Sequence, residues 1–198
     1  MIYLCDFEDS FTYNIYSILK TYNPDIEIEV IQKNRVLTFL QKTKFSEQKH
    51  VIILGPGPGH PEDYQYLMST IYGLLQNKNV FFLGICLGHQ LIWSSVGATI
   101  EHCHLPVHGQ TRSYNLPKQF QKDLNLNESI IHVQHYNSLA VKEHSRLDQA
   151  LPGVNRYSLN DEILISYGER LVTYQFHPES IGTTFPQMFF RSIDQFLL

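Results

Sequence analysis

The chain has 198 residues, of which 43% are hydrophobic and 17% are charged, and its formal net charge is -4. This composition is that of an ordinary globular protein, and it gives no electrostatic basis for binding nucleic acid or a membrane surface. No apolar run approaches the roughly 20 residues that a membrane-spanning helix needs.

Cysteine usage and chain length give two further expectations. Three cysteines without the spacing of a disulfide framework indicate a reducing compartment, and the first residues do not have the pattern of a signal peptide. A chain of this length supports one hydrophobic core. We therefore expect a single cytoplasmic domain over residues 1–198.

The first half of the chain alternates strand patterns with helix patterns. Apolar or alternating runs predict strands at Ile2–Cys5, Ile26–Ile31, Val51–Leu54 and Val80–Ile85, the second of them half-exposed and near a sheet edge. Apolar residues at helical spacing predict helices at Phe11–Tyr22, Val36–Leu40, Pro61–Leu75 and His89–Gly97. Ser10 is positioned to cap the first helix. This order predicts an α/β fold with three layers, in which helices cover both faces of a mostly parallel central sheet.

The second half is dominated by shorter strand patterns, which predict antiparallel sheet added to the α/β half and not a second domain. The expected strands are Ala98–Leu105, Ser129–His135, Leu139–Lys142, Glu162–Tyr167 and Leu171–Phe176. Helical spacing in Phe185–Leu198 predicts a closing helix.

Cys86 follows the short apolar strand pattern Val80–Ile85 and is bracketed by glycines in the sequence GICLG. This arrangement resembles the sharp strand-to-helix turn that lifts a nucleophile into a cleft, where small neighbours let the backbone pass closely. A helix beginning just after the cysteine would favour its thiolate form. A small buried core residue is the alternative, since free cysteines are often buried.

Two further segments could support chemistry at Cys86. The run GPGPGHPED from Gly55 to Asp63 predicts a stiff loop with accessible backbone N–H groups at a strand end, although a plain strand-to-helix turn has the same composition. His177, Pro178 and Glu179 could supply a base and the carboxylate that orients it. The alternative is a structural histidine beside a solvated carboxylate.

A metal site is not predicted. The run HCHLPVH from His102 to His108 contains possible ligands, but it lies on a predicted strand that would send Cys103 to the face opposite His102 and His104. No second cluster has zinc-type spacing. Asp6 and Asp9 are interpreted as turn and capping residues and not as Mg²⁺ ligands.

Taken together and in this order, GPGPGHPED, GICLGHQ and QFHPES make the chain resemble a class I glutamine amidotransferase, a flavodoxin-like α/β family. DSFTYN at Asp9–Asn14 and HYNSL at residues 135–139 resemble signatures of the small subunit of anthranilate synthase and the corresponding subunit of aminodeoxychorismate synthase. The resemblance covers the chain from about residue 1 to its end.

The resemblance implies a catalytic triad of Cys86, His177 and Glu179, in which Cys86 forms a γ-glutamyl thioester with glutamine. It implies an oxyanion hole made by the backbone N–H groups of Gly57 and Leu87. Glutamine would be held by six positions: Pro56, Gly57, Pro58, Gln90, Ser138 and Leu139.

The resemblance also implies a heteromeric partner, a chorismate-using synthase subunit that receives the ammonia. No cofactor is expected in this subunit, and Mg²⁺ is expected in the partner. Four positions depart from the family pattern, namely Phe7, Gln110, Gln134 and Asn137. None of them belongs to the implied triad.

Two other functions stay open from the sequence. One is a stand-alone cysteine hydrolase that acts on γ-glutamyl compounds with the same fold. The other is a non-catalytic scaffold that binds a partner through a degenerate site, which the complete set of Cys86, His177 and Glu179 argues against.

Overall fold

The computed structural model describes residues 1–45 and 47–197. Its centre is a sheet of seven strands in the order β2-β1-β3-β4-β11-β10-β9. The first four neighbouring pairs are parallel, and the last two, which join β11 to β10 and β10 to β9, are antiparallel. The strands are β1 (Ile2–Asp6), β2 (Ile28–Gln32), β3 (His50–Leu54), β4 (Val80–Ile85), β9 (Asn155–Leu159), β10 (Glu162–Gly168) and β11 (Leu171–Tyr174).

Helices cover both faces of this sheet and create two separate hydrophobic clusters. One cluster joins Leu4, Ile53 and Leu83 to residues of α1 and α7, and the other joins Ile52 and Phe82 to residues of α2, α3 and α4. Strand β4 is buried along its whole length because it lies between both clusters. The helices are α1 (Thr12–Tyr22), α2 (Lys33–Lys42), α3 (Gln65–Leu75), α4 (Leu87–Ser95), α5 (Lys118–Asp123), α6 (Leu147–Ala150) and α7 (Arg191–Leu197). The predicted three-layer α/β class is confirmed.

Two small antiparallel sheets stand beside the central one and carry loops that reach the sheet edge. The first pairs β5 (Ile100–His102) with β8 (Leu139–Val141), and the second pairs β6 (Gln110–Asn115) with β7 (Ile130–His135). His177 continues from β11 and forms an isolated bridge with Gln134 at the end of β7. The second small sheet is thereby fixed to the central one at this point.

Several predicted elements are corrected. Only Ile100–His102 of the expected strand Ala98–Leu105 is a strand, and Pro61–Leu75 divides into a 3-10 turn, Pro61–Tyr64, followed by α3. The closing segment likewise begins with a 3-10 turn at Pro186–Phe190. Its last predicted residue, Leu198, lies outside the described residues.

The expected cap at Ser10 is wrong, since no side chain in the described part of the chain caps α1. Asp9 instead accepts the Phe11 N–H through Oδ1, and Asp6 accepts from the Glu8 N–H and from the Thr12 hydroxyl. The turn roles predicted for the two aspartates are therefore confirmed.

Strands β6 and β9 and helices α5 and α6 were not anticipated. The two strands are largely polar, with the sequences QTRSYN and NRYSL. Among residues 1–45 and 47–197, no helix has the length and apolar character that crossing a membrane requires.

Candidate active site

Cys86 lies at the sharp turn between β4 and α4, as the glycine pattern predicts. Its backbone has φ of 51° and ψ of -102°, a conformation that a side-chain-bearing residue adopts only under constraint. A Cβ on Gly88 would lie 1.9 Å from the carbonyl oxygen of Leu54, so only glycine lets the helix start so close to β3. The Cys86 N–H donates to the carbonyl of Tyr174 at 2.8 Å, which fixes the turn to β11.

The loop after β3 brings Gly57 against this turn. A Cβ on Gly57 would lie 2.6 Å from Cβ of Phe7 and 2.7 Å from Cδ2 of Leu87, so the close approach again requires glycine. Within the described part of the chain, neither the N–H of Gly57 nor that of Leu87 has a hydrogen-bond acceptor. Two free backbone donors therefore flank the cysteine, the arrangement that an oxyanion hole requires.

A cavity of about 250 Å³ opens beside Cys86. Seven of the predicted site residues line it, together with four residues that were not predicted as lining. The predicted ones are Gly57, Pro58, Cys86, Leu87, Gln90 with the backbone pair Ser138 and Leu139, and the others are Gly59, His108, Tyr136 and Asn137. Pro56 is buried and does not line the cavity.

The Gln90 side chain is oriented by bonds inside the protein. Its Nε2 donates to the carbonyl of Leu139 at 3.0 Å and to Oε1 of Gln175 at 3.1 Å. Both amide hydrogens are therefore used, which leaves only Oε1 of Gln90 to meet a ligand in the cavity. Gln175 was not anticipated, although a polar residue at the end of an apolar strand pattern could have indicated an inward polar contact.

His177 and Glu179 form a buried pair. Nδ1 of His177 lies 2.7 Å from Oε1 of Glu179, and His177 is only 3% exposed. Burial would by itself lower the pKa of His177, but a negatively charged Cys86 and the Glu179 carboxylate together hold that pKa well above its usual value. The nitrogen Nε2 of His177 has no hydrogen-bond partner among the described residues, so it is free to exchange a proton.

Two aromatic rings hold the His177 imidazole in place. The ring centroids of Phe11 and Tyr136 lie 5.4 and 4.9 Å from that of His177, both in edge-to-face geometry. Thr183 donates its hydroxyl to the carbonyl of His177 at 2.7 Å. These contacts restrict the imidazole to one orientation.

The four departures from the family pattern have different structural contexts. Phe7 packs edge-to-face against Tyr64 and leaves no room for a Cβ on Gly57. Asn137 forms hydrogen bonds with His135 and with the Leu139 carbonyl. Gln134 accepts from Ser180 and Gly182 and donates to Gly109, which joins two loops. The exposed side chain of Gln110 makes no contact among the described residues that explains its identity.

The histidine-rich run is not a continuous strand. Strand β5 ends at His102, Cys103 is buried, and the His104 N–H donates to the carboxylate of Glu162. The alternation argument against a metal site therefore fails beyond His102. Within the described ranges, no three His, Cys, Asp or Glu residues are grouped so that they could hold a metal ion.

Curated relatives resemble the chain over nearly all of its length. It is 30% identical to "Anthranilate synthase component 2, pyocyanine specific" of Pseudomonas aeruginosa, over 94% of this chain and 88% of that protein. It is 31% identical to "Bifunctional protein TrpGD" of Thermotoga maritima and 30% identical to "Putative aminodeoxychorismate synthase" of Schizosaccharomyces pombe, in each case over 92% of this chain. The chain spans only 30% and 24% of those two longer proteins.

The fold is also similar to a solved structure, the "putative gmp synthase subunit a protein" of Thermoplasma acidophilum. The TM-score is 0.74 at 17% identity, over 99% of this chain and 92% of that one. The model of the family described as "Glutamine amidotransferase class-I" matches residues 3–196. With its sequence matched almost from end to end, the chain belongs to the class-I glutamine amidotransferase family.

Proposed function

We propose that residues 1–198 act as one glutaminase domain, which hydrolyses L-glutamine and delivers ammonia to a chorismate-using synthase subunit. The proposal is supported by three observations: the strained turn at Cys86, the two free N–H groups of Gly57 and Leu87 beside it, and the buried His177–Glu179 pair, in which Cys86 helps to raise the pKa of His177. A nucleophile, an oriented base and paired oxyanion donors are the parts that acyl transfer requires.

In the first half-reaction, the thiolate of Cys86 attacks the side-chain amide carbon of glutamine. The carbonyl electron pair moves onto oxygen, where the N–H groups of Gly57 and Leu87 stabilise the negative charge. When this intermediate collapses, the C–N bond breaks and the nitrogen takes the proton from the His177 imidazolium. Ammonia leaves, and the γ-glutamyl group remains on sulfur as a thioester.

In the second half-reaction, water attacks the thioester carbon and gives a proton to His177. The C–S bond breaks, glutamate is released and the Cys86 thiolate is restored. Glu179 stabilises the imidazolium in both halves because its carboxylate faces Nδ1, whereas Nε2 carries the exchanged proton.

The pathway is proposed from the names of the relatives. Two similar proteins carry names that specify anthranilate synthase or aminodeoxychorismate synthase.

Ile181 lies two residues after Glu179 and is 99% exposed, and Phe185 nearby is also exposed. These apolar side chains support a partner surface beside the catalytic loop. We expect Mg²⁺ to bind in the synthase subunit and this chain to act in the cytoplasm.

The test mixes the purified chain with an anthranilate synthase large subunit or an aminodeoxychorismate synthase large subunit, each with chorismate and Mg²⁺. We expect glutamate release to be weak for the isolated chain and to rise with the cognate synthase. The aromatic product that forms in that mixture then identifies the pathway. Cys86→Ala should abolish product formation from glutamine. The same mixture should still form product from ammonium salts, because only the ammonia source is lost.

Each outcome separates the candidate functions. Strong turnover by the isolated chain that no synthase changes would favour the stand-alone hydrolase of γ-glutamyl compounds. Glutamine-dependent product formation with Cys86→Ala would contradict the thioester mechanism. Failure of a glutamine-derived electrophile to label Cys86 would favour the non-catalytic scaffold.

A further inference from the structure

We infer that Gln175 is a catalytic residue, whose side-chain amide donates a hydrogen bond to the sulfur of Cys86 and stabilises the thiolate. This inference deepens the proposed function, on which it rests for its catalytic meaning. The hydrogen bond itself can be tested without glutamine turnover.

The position of Gln175 is unusual for a polar side chain. It follows directly after β11, is 0% exposed, and has its backbone fixed by a 2.9 Å bond from its N–H to the carbonyl of Leu164. Its Nε2 lies 3.8 Å from Sγ of Cys86, a distance at which the large sulfur atom accepts a hydrogen bond. A buried amide is costly unless its polar atoms are paired, and the Cys86 sulfur is the partner that the Gln175 nitrogen has here.

The orientation of the Gln175 amide follows from a chain of hydrogen bonds that starts at a backbone carbonyl. The Leu139 carbonyl can only accept, so the Gln90 atom that contacts it at 3.0 Å must be nitrogen. The same nitrogen lies 3.1 Å from Gln175, so the Gln175 atom facing it must be oxygen. Consequently the nitrogen of Gln175, with its hydrogens, faces Cys86.

This contact differs in kind from the other influences on Cys86. His177 favours the thiolate through charge and must change protonation during the reaction. Helix α4, which starts at the next residue, contributes its dipole, and the cavity also carries the ionisable side chains of His108 and Tyr136. A neutral amide stabilises the thiolate at every stage and exchanges no proton.

The experiment measures the rate at which iodoacetamide alkylates Cys86 as a function of pH, with the labelled peptide quantified by mass spectrometry. Gln175→Met removes the donor and nearly preserves the volume, and Gln175→Glu replaces the amide with a negative charge. Gln149→Glu adds the same charge at an exposed position and serves as the matched control.

Gln90→Glu tests the same hydrogen bond without changing Gln175. A carboxylate at position 90 cannot donate to Oε1 of Gln175, so we expect the Gln175 amide to rotate and to present oxygen to the sulfur. This variant and Gln175→Met carry the test even if Gln175→Glu does not fold.

For Gln175→Met we expect the alkylation rate near pH 6 to fall about tenfold relative to the wild type, because the Cys86 thiolate loses one hydrogen-bond donor. The rate near pH 10, where the thiol is ionised in both proteins, should change little. Gln90→Glu and Gln175→Glu should fall at least as far, and Gln149→Glu should match the wild type. A purely structural role would lower the unfolding temperature and leave the ratio of acid to alkaline rates unchanged.

An unchanged ratio in a folded Gln175→Met protein would overturn the inference. The proposed function would fail differently. If the proposed function is wrong but the hydrogen bond exists, the wild type and Gln175→Met will show the expected alkylation profiles, and the wild-type protein will not release glutamate from glutamine with any synthase.

Discussion

Oε1 of Glu179 lies 2.7 Å from Nδ1 of His177, while the second oxygen of the same carboxylate is buried without a hydrogen-bond partner among the described residues. A buried carboxylate with one free oxygen is costly to maintain, so its charge is held mainly by the imidazolium. The pair is therefore suited to keeping His177 protonated beside the Cys86 thiolate.

Glu179→Gln should lower the rate of glutamate release by roughly 10²- to 10⁴-fold, as expected when an orienting carboxylate is lost from a triad. Because the Glu179 charge helps to raise the pKa of His177, its loss should lower that pKa. The alkaline limb of the pH–rate profile, where the imidazolium is lost, should then move to lower pH. The measurement is glutamate release against pH in the presence of the synthase, and an alkaline limb that does not move would contradict the assigned role.

Gly57→Ala should reduce turnover by roughly 10²- to 10³-fold, the loss that follows when one oxyanion donor is displaced. The added Cβ would meet Phe7 at 2.6 Å and Leu87 at 2.7 Å, so the loop has to shift away from Cys86. Gly73→Ala is the matched control, since Gly73 lies on helix α3 and a Cβ there would have no atom of the described residues within 4 Å. The control should keep full turnover and gain about 0.5–1 kcal/mol of stability. Equal turnover in both variants would exclude the proposed donor at Gly57.

Gln134→Ala should loosen the segment that follows Glu179. The side chain of Gln134 accepts from the Gly182 N–H at 2.8 Å and donates to the Gly109 carbonyl at 3.1 Å, so its removal leaves both loops without a shared anchor. We expect faster hydrogen exchange at Gly182, a loss of about 1–3 kcal/mol in unfolding free energy, and slower glutamine turnover. Gln110→Ala, at the other glutamine that departs from the family pattern, should change none of these quantities. Unaltered exchange at Gly182 in Gln134→Ala would show that this anchor is dispensable.

The extent to which the sequence predicts the fold depends on burial. Strands β3 and β4 are buried on both faces, and their apolar runs identify them almost to the residue. Apart from the buried Tyr114, the residues of strands β6 and β9 are exposed or half-buried, and they form strands because neighbouring backbone pairs with them. No local pattern of side chains marks such pairing.

The residues of the candidate site also fall into those that a local sequence pattern indicates and those that only tertiary packing brings together. Cys86 and Gly57 are visible in the sequence because a strained turn and a close backbone approach require glycines at fixed spacing. The contacts of Gln90 with Gln175 and of Gln134 with Gly182 join residues 85 and 48 positions apart. Their partners depend on how separate elements pack, which local periodicity does not encode.

His89 should make the protein sensitive to mild acid. It is fully buried beside the Thr173 hydroxyl, at 2.8 Å from Nδ1, and burial lowers its pKa to about 3. Between that value and the usual pKa of about 6.5, the unfolded chain binds a proton that the native protein does not. The contribution of neutral His89 to the free energy of unfolding is therefore fully present above about pH 6.5. It decreases as the pH falls, by about 2 kcal/mol near pH 5.

The comparison of urea unfolding near pH 7 and near pH 5 tests this expectation in two variants. His89→Gln keeps a polar contact with Thr173 but cannot take up a proton, so its loss of stability between the two pH values should be about 2 kcal/mol smaller than in the wild type. His102→Gln, at an exposed position, should behave as the wild type does. Burial also lowers the pKa of His135, to about 4, so part of the acid sensitivity should persist in His89→Gln. If the wild type and His89→Gln lose equal stability on acidification, protonation of His89 is not what destabilises the native state.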